Sequence, residues 1–127
     1  GLEFQSNYYT AKPAPIEGDT DMLVKFLEAV DKGWAFTADN PEKAVEIVLT
    51  MAPALDAQKE VDSLKVVFGA DYIYNADTRE HGFGNIDAAR WQRTLDTYAR
   101  IGEIKAGMTA DAVFDDRVLK AAQRTKR

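Results

Sequence analysis

Leu23, Phe26, Leu27, Val30 and Trp34 recur at i, i+3, i+4, i+7 and i+11. A helix gathers all five on one face, whereas the two-residue repeat of a strand scatters them over both. Gly33 beside Trp34 allows another helix to approach closely. Asn40-Pro41-Glu42 then ends this helix and starts the next. Asn40 is placed to cap, Pro41 sits at the first helical position where no N–H is needed, and Glu42 complements the helix dipole. Ala44, Val45, Val48 and Met51 form the expected buried face of the second helix, which Pro53 stops.

Further signals extend the helical pattern. Asp19, Thr20 or Asp21 can cap the Leu23 helix, and Asp56 can cap a third helix carrying Val61, Leu64 and Phe68 and ending at Gly69. Tyr72, Ile73 and Tyr74 suit a short extended piece, and residues 75–85, with His81-Gly82-Phe83-Gly84, read as a loop. Ala88, Trp91, Leu95 and Tyr98 share a face of a fourth helix that closes at Ile101-Gly102. Thr109 is placed to cap a last helix through Val113, Phe114, Val118 and Leu119. At the start, Leu2, Phe4 and Tyr8 alternate with polar residues as in a strand, and Lys12-Pro13-Ala14-Pro15 should stop regular structure. The expected fold class is mostly α, one N-terminal strand plus about five helices, in a single helix-rich domain spanning residues 1–127.

Charge and composition narrow the function. The formal net charge is −5, so nucleic acid, which requires a basic footprint, is not an expected partner. The chain has no cysteine, which removes disulfides, thiolate metal sites and cysteine nucleophiles. His81 is the single histidine. A site built on several histidines is impossible, and a glycine-flanked loop is a poor seat for a catalytic base. No apolar run is long enough to span a membrane. Gly1 to Ser6 shows no signal peptide, and the chain opens without an initiator methionine, as expected of a processed chain or a cut piece.

Carboxylates are plentiful but read as caps and solvated helix faces, with Glu28 and Lys32 an i,i+4 pair. Asp71 to Asp77 does not match a Ca²⁺ loop, and Gly82-Phe83-Gly84 is too short for a phosphate loop. Lys120, Arg124, Lys126 and Arg127 are expected to complement the end of the last helix. No catalytic set, metal site or cofactor is expected, and the chain does not read as an enzyme. Trp34 and Trp91 lie on helical stripes and read as core; they would touch a ligand only if they faced a cleft. Asn7, Tyr8 and Tyr9 are the candidate ligand-binding residues, because aromatic rings with polar tips suit the wall of a small-molecule cleft. They suit a strand packed beneath helices equally well.

Gly1 to Lys12 resembles the last interlobe strand of substrate-binding proteins related to thiamine-pyrimidine synthase. Leu27 to Phe36, with its Gly33-Trp34, followed by Asn40-Pro41-Glu42-Lys43-Ala44, is similar to that family's helix pair. Gly84-Asn85-Ile86-Asp87 to Trp91 and Ile101 to Lys105 resemble its closing helix. The resemblance implies the C-terminal part of a two-lobed α/β periplasmic-binding-protein fold, placed outside the cytoplasmic membrane. It implies a small organic ligand, heteroaromatic or similar, and an ABC permease as partner. The Leu2–Tyr9 strand would then pair with the remaining N-terminal part of the binding protein or with a second copy, since a lone strand cannot satisfy its own backbone. The alternative is an independent helical module for protein interaction or oligomerisation.

Overall fold

The computed structural model describes residues 8–127, which are mostly helical, with no strand among them. Tyr8, Tyr9 and Thr10 have no regular structure, and the rest of the expected N-terminal strand lies outside the described residues. The helices are α1 (Pro13–Gly18), α2 (Thr20–Asp39), α3 (Pro41–Met51), α4 (Ala57–Gly69), α5 (Ala76–His81), α6 (Ala88–Arg100) and α7 (Arg117–Ala121), with a 3₁₀ turn at Ala110–Ala112. None is long and apolar enough to cross a membrane.

The prolines expected to forbid structure instead start it. Pro13 opens α1, and its missing N–H is harmless in a first turn whose N–H groups have no helical acceptors. Asp19 then links α1 to α2. Its N–H donates to Pro15 O at 3.0 Å, and its Oδ1 accepts from Met22 N at 3.1 Å. Asn40 does not cap α3 with its side chain; its amide donates backward to Phe36 O at 3.1 Å and closes α2. Asp56 caps α4 as expected, accepting from Lys59 N at 3.1 Å.

Two segments depart from the sequence reading. The expected loop over 75–85 contains α5, begun by a capping box. Asn75 Oδ1 accepts from Thr78 N at 3.2 Å while Thr78 Oγ1 accepts from Asn75 N at 2.7 Å. The expected last helix is broken in two. Thr109 makes no side-chain cap, and Asp115 Oδ1 accepts from Arg117 N at 2.9 Å, which starts α7 afresh.

The chain divides into two compact units. One takes residues up to Val24 and Gly84–Ala121; the other takes Lys25–Phe83 and Ala122–Arg127. In the first, Leu95 of α6, Ala110 and Val118 of α7 are buried. Gln92 of α6 ties this core together. Its amide donates to Met108 O at 3.1 Å and accepts from Ala110 N at 3.0 Å. In the second, α3 packs on α4 around Ala44, Val45 and Val61. Val48 and Met51, expected in the α3 core, share the Ala44–Val45 side but are exposed, because Val48 borders an open groove and Met51 is the last residue of the helix.

Candidate functional site

Tyr8 and Tyr9 are both open to solvent, with 56% and 60% of their surface exposed. Asn7 lies outside the described residues. Tyr8 packs against Trp91 of α6, with ring centroids 5.4 Å apart and planes tilted by 60°. Trp91 in turn lies nearly parallel to Phe114, at 6.4 Å. The structure therefore brings one candidate tyrosine onto a helical-stripe tryptophan, making an aromatic corner in the first unit. The Trp91 Nε1 proton is buried and has no acceptor among the described residues.

In the second unit, α2, α3 and α4 leave an apolar groove of roughly 450 Å³ between them. Trp34 and Phe36 of α2, Ile47 and Val48 of α3, and Leu64 and Glu60 of α4 are among its lining residues. Trp34 meets the condition set by its sequence position, since it lines this groove, while its ring and that of Phe68 pack at a steep angle with centroids 6.2 Å apart.

The second unit also buries an acid that the sequence did not mark. Asp31, 3% exposed, is the buried residue of α2. Its Oδ2 accepts from Thr125 N at 2.7 Å and from Thr125 Oγ1 at 2.8 Å, while Oδ1 is buried with no partner among the described residues. The sequence held one clue: Asp31 stands four residues after Leu27 and three before Trp34, inside the apolar stripe.

Residues 122–127, expected to finish a helix, instead form a strap without regular structure. Each residue from Gln123 onward is tied down. Gln123 N donates to Glu28 Oε1 at 2.9 Å, so Glu28, read as half of a helix pair with Lys32, serves the strap. Arg124 donates to Phe83 O at 2.9 Å, and Phe83 N donates to Thr125 O at 2.9 Å. Lys126 donates to Glu80 O at 2.7 Å, and Arg127 binds the Asp39 carboxylate. Gly82 permits this approach. It has φ +91°, and a Cβ there would sit 3.1 Å from Arg124 Cβ.

The charges here are engaged in holding the strap. Burial lowers the Arg124 pKa, opposed by Asp31 and Asp77. Burial raises that of Tyr74, and the Asp31 charge adds to it. The Tyr74 hydroxyl feels the Arg127 guanidinium, which lies over its ring at 5.4 Å, but makes no hydrogen bond of ordinary geometry. The hydrogen bond from Arg127 holds Asp39 below its ordinary value. His81, at the exposed end of α5, contacts Asp77 Oδ1 at 3.1 Å. Among the described residues, no group of three or more acids or histidines could hold a metal ion.

Residues 1–44 match the family model described as NMT1/THI5 like. The matched stretch holds Tyr8, Tyr9, α1, α2 and the Asn40-to-Ala44 block, and stops before the segments compared with a closing helix. No curated protein and no solved structure matches the chain.

Proposed function

We propose that the chain serves in solute capture, as the C-terminal, helix-rich portion of a two-lobed binding protein that delivers a small organic molecule to an ABC permease. The similarity of residues 1–44 to the NMT1/THI5 like family carries this reading. The same likeness supports a position outside the cytoplasmic membrane. The stretch contains Asn7, Tyr8 and Tyr9, the residues proposed to meet the ligand.

A half-exposed tyrosine backed by a tryptophan offers a flat apolar face with a hydroxyl at its rim, which suits a heteroaromatic ring. Stacking on such a face contributes about 0.5–1.5 kcal/mol beyond the area buried. In the same proposal, Leu2–Tyr9 pairs with the remaining N-terminal part of the protein or with a second copy. The direct test is calorimetry of the chain against a panel of pyrimidines, other heteroaromatics and alkyl sulfonates, followed by Tyr8→Ala and Tyr9→Ala. Truncating either ring should weaken binding by roughly two- to tenfold. Unaltered affinity in both variants would remove the tyrosines from the site, and silence across the whole panel would count against solute capture.

A further inference from the structure

The groove between α2, α3 and α4 is lined by one carboxylate, in the first turn of α4, that makes no ion pair among the described residues. Glu42 of α3 pairs with Lys65 of α4 at 3.2 Å, and Glu46 pairs with Lys43 at 2.9 Å. Glu60, which lines the groove one helical turn before Leu64, makes no ion pair among the described residues. Around it the lining is overwhelmingly apolar, with the Trp34 indole on the α2 side.

From this we infer that the groove is a binding site for a small organic cation, with an apolar or aromatic body against Trp34, Val48 and Leu64 and an ammonium group at Glu60. Several observations select that class. The volume, roughly 450 Å³, falls within the range of small-molecule sites. An anionic solute would meet Glu60 and a chain of net charge −5. A neutral solute would gain the apolar burial but leave the carboxylate without a partner. A cation gains both, and the Trp34 ring in the same groove offers an aromatic face to its body. The acid is also a single point, because Lys65 and Lys43 already neutralise Glu42 and Glu46. A basic protein helix would call for a row of free acids instead. None of these residues belongs to the Tyr8–Trp91 corner, so the two sites stand or fall separately.

Tryptamine, tryptophol and indole-3-acetate share one ring and differ in charge, which makes them suitable probes. Titrated into the chain and followed by two-dimensional NMR, tryptamine should shift the Trp34 indole and the methyl groups of Val48 and Leu64. It should bind about fivefold more tightly than tryptophol, and indole-3-acetate should bind least. Glu60→Gln should bring tryptamine to the level of tryptophol while leaving tryptophol unchanged. Glu60→Lys should reverse the order of tryptamine and indole-3-acetate. Circular dichroism and the shifts of residues remote from the groove report whether each variant is folded, and Tyr8→Ala should alter none of these affinities. Equal binding of the three probes, shifts lying elsewhere, or no binding at millimolar concentration would each overturn the assignment. So would a basic amphipathic peptide that displaces tryptamine and binds more tightly, since the groove would then be a protein-docking face.

Discussion

Each unit uses a polar side chain of a helix to hold an irregular segment, and the two side chains do so with opposite chemistry. In the first, Gln92 is neutral and half-buried, and its amide both donates to Met108 O and accepts from Ala110 N. In the second, Asp31 is ionisable and buried, and it binds through one oxygen while the other has no partner. An amide at the edge of a core loses little hydration, and its loss leaves one backbone N–H without an acceptor. A buried carboxylate has already given up its water, so its two bonds to Thr125 are held under a large desolvation penalty. The same mechanical task is therefore far more sensitive to change in the second unit.

Asp31→Ala tests this most directly. It removes the acceptor for both Thr125 N and Thr125 Oγ1 and should cost about 3 kcal/mol, read as a fall in the urea midpoint. Asp31→Asn retains one oxygen for Thr125 and should cost less, though its new N–H₂ donor enters a buried place. Should Asp31→Ala prove no worse than Gln92→Ala, burial would not be what separates the two fasteners.

Two glycines with the same φ sharpen the comparison. Gly82 and Gly107 both have φ +91°, but a Cβ at Gly107 meets nothing within 4 Å, whereas one at Gly82 meets Arg124 Cβ at 3.1 Å. Gly107→Ala should cost only the strain of a left-handed alanine, about 1 kcal/mol. Gly82→Ala should cost roughly 2–3 kcal/mol, because its φ 91°, ψ 159° backbone is essentially restricted to glycine and its Cβ would also crowd the strap. Equal losses would mean that neither the Gly82 backbone nor the strap beside it resists a side chain. Gln92→Ala follows at about 1–2 kcal/mol, because it leaves the N–H of buried Ala110 without its acceptor. Retained stability in that variant would show that the 3₁₀ turn re-forms its bonds unaided.

The helical class was legible because stripes and caps act locally. The Leu23-to-Trp34 spacing, Asp56 before α4 and the Ala88-to-Tyr98 face each find their helix in the structure. Misreadings arose where a local signal has two meanings. Pro13 marks a stop or a first turn, and only the chain beyond it decides. Asn40 can accept from the helix ahead or donate to the one behind, and here it donates. The strap was beyond local reading. Asp31 and Thr125 are 94 residues apart, and nothing in either segment alone specifies the other. Asp31 in the α2 stripe was a visible anomaly, but it marks a buried partner without naming it. Of the candidate ligand residues, Tyr8 has a structural neighbour in Trp91, which lies 83 residues later in the chain on an amphipathic stripe whose local signal is that of core.

The smallest expected effect carries a pH signature. Asp87 caps α6 in the first unit, its Oδ1 accepting from Ala89 N at 2.8 Å and Arg90 N at 3.1 Å. The Arg90 N–H is the main cause of a carboxyl pKa below the ordinary 3.8, with the Ala89 N–H and the charges of Arg93 and Arg90 acting in the same direction. A carboxyl depressed by folding stabilises the folded state above its unfolded value and loses that contribution as pH falls through the folded one. Asp87→Asn keeps an N-cap oxygen but removes the charge at the positive end of the α6 dipole. The variant should be less stable than the parent by about 0.5 kcal/mol at neutral pH, and the two curves should converge as pH falls below about 4. Parallel curves across the acid range would show that the cap works through its oxygen alone. The α6 cap would then be insensitive to charge, which would widen its contrast with the carboxylate-held strap of the second unit.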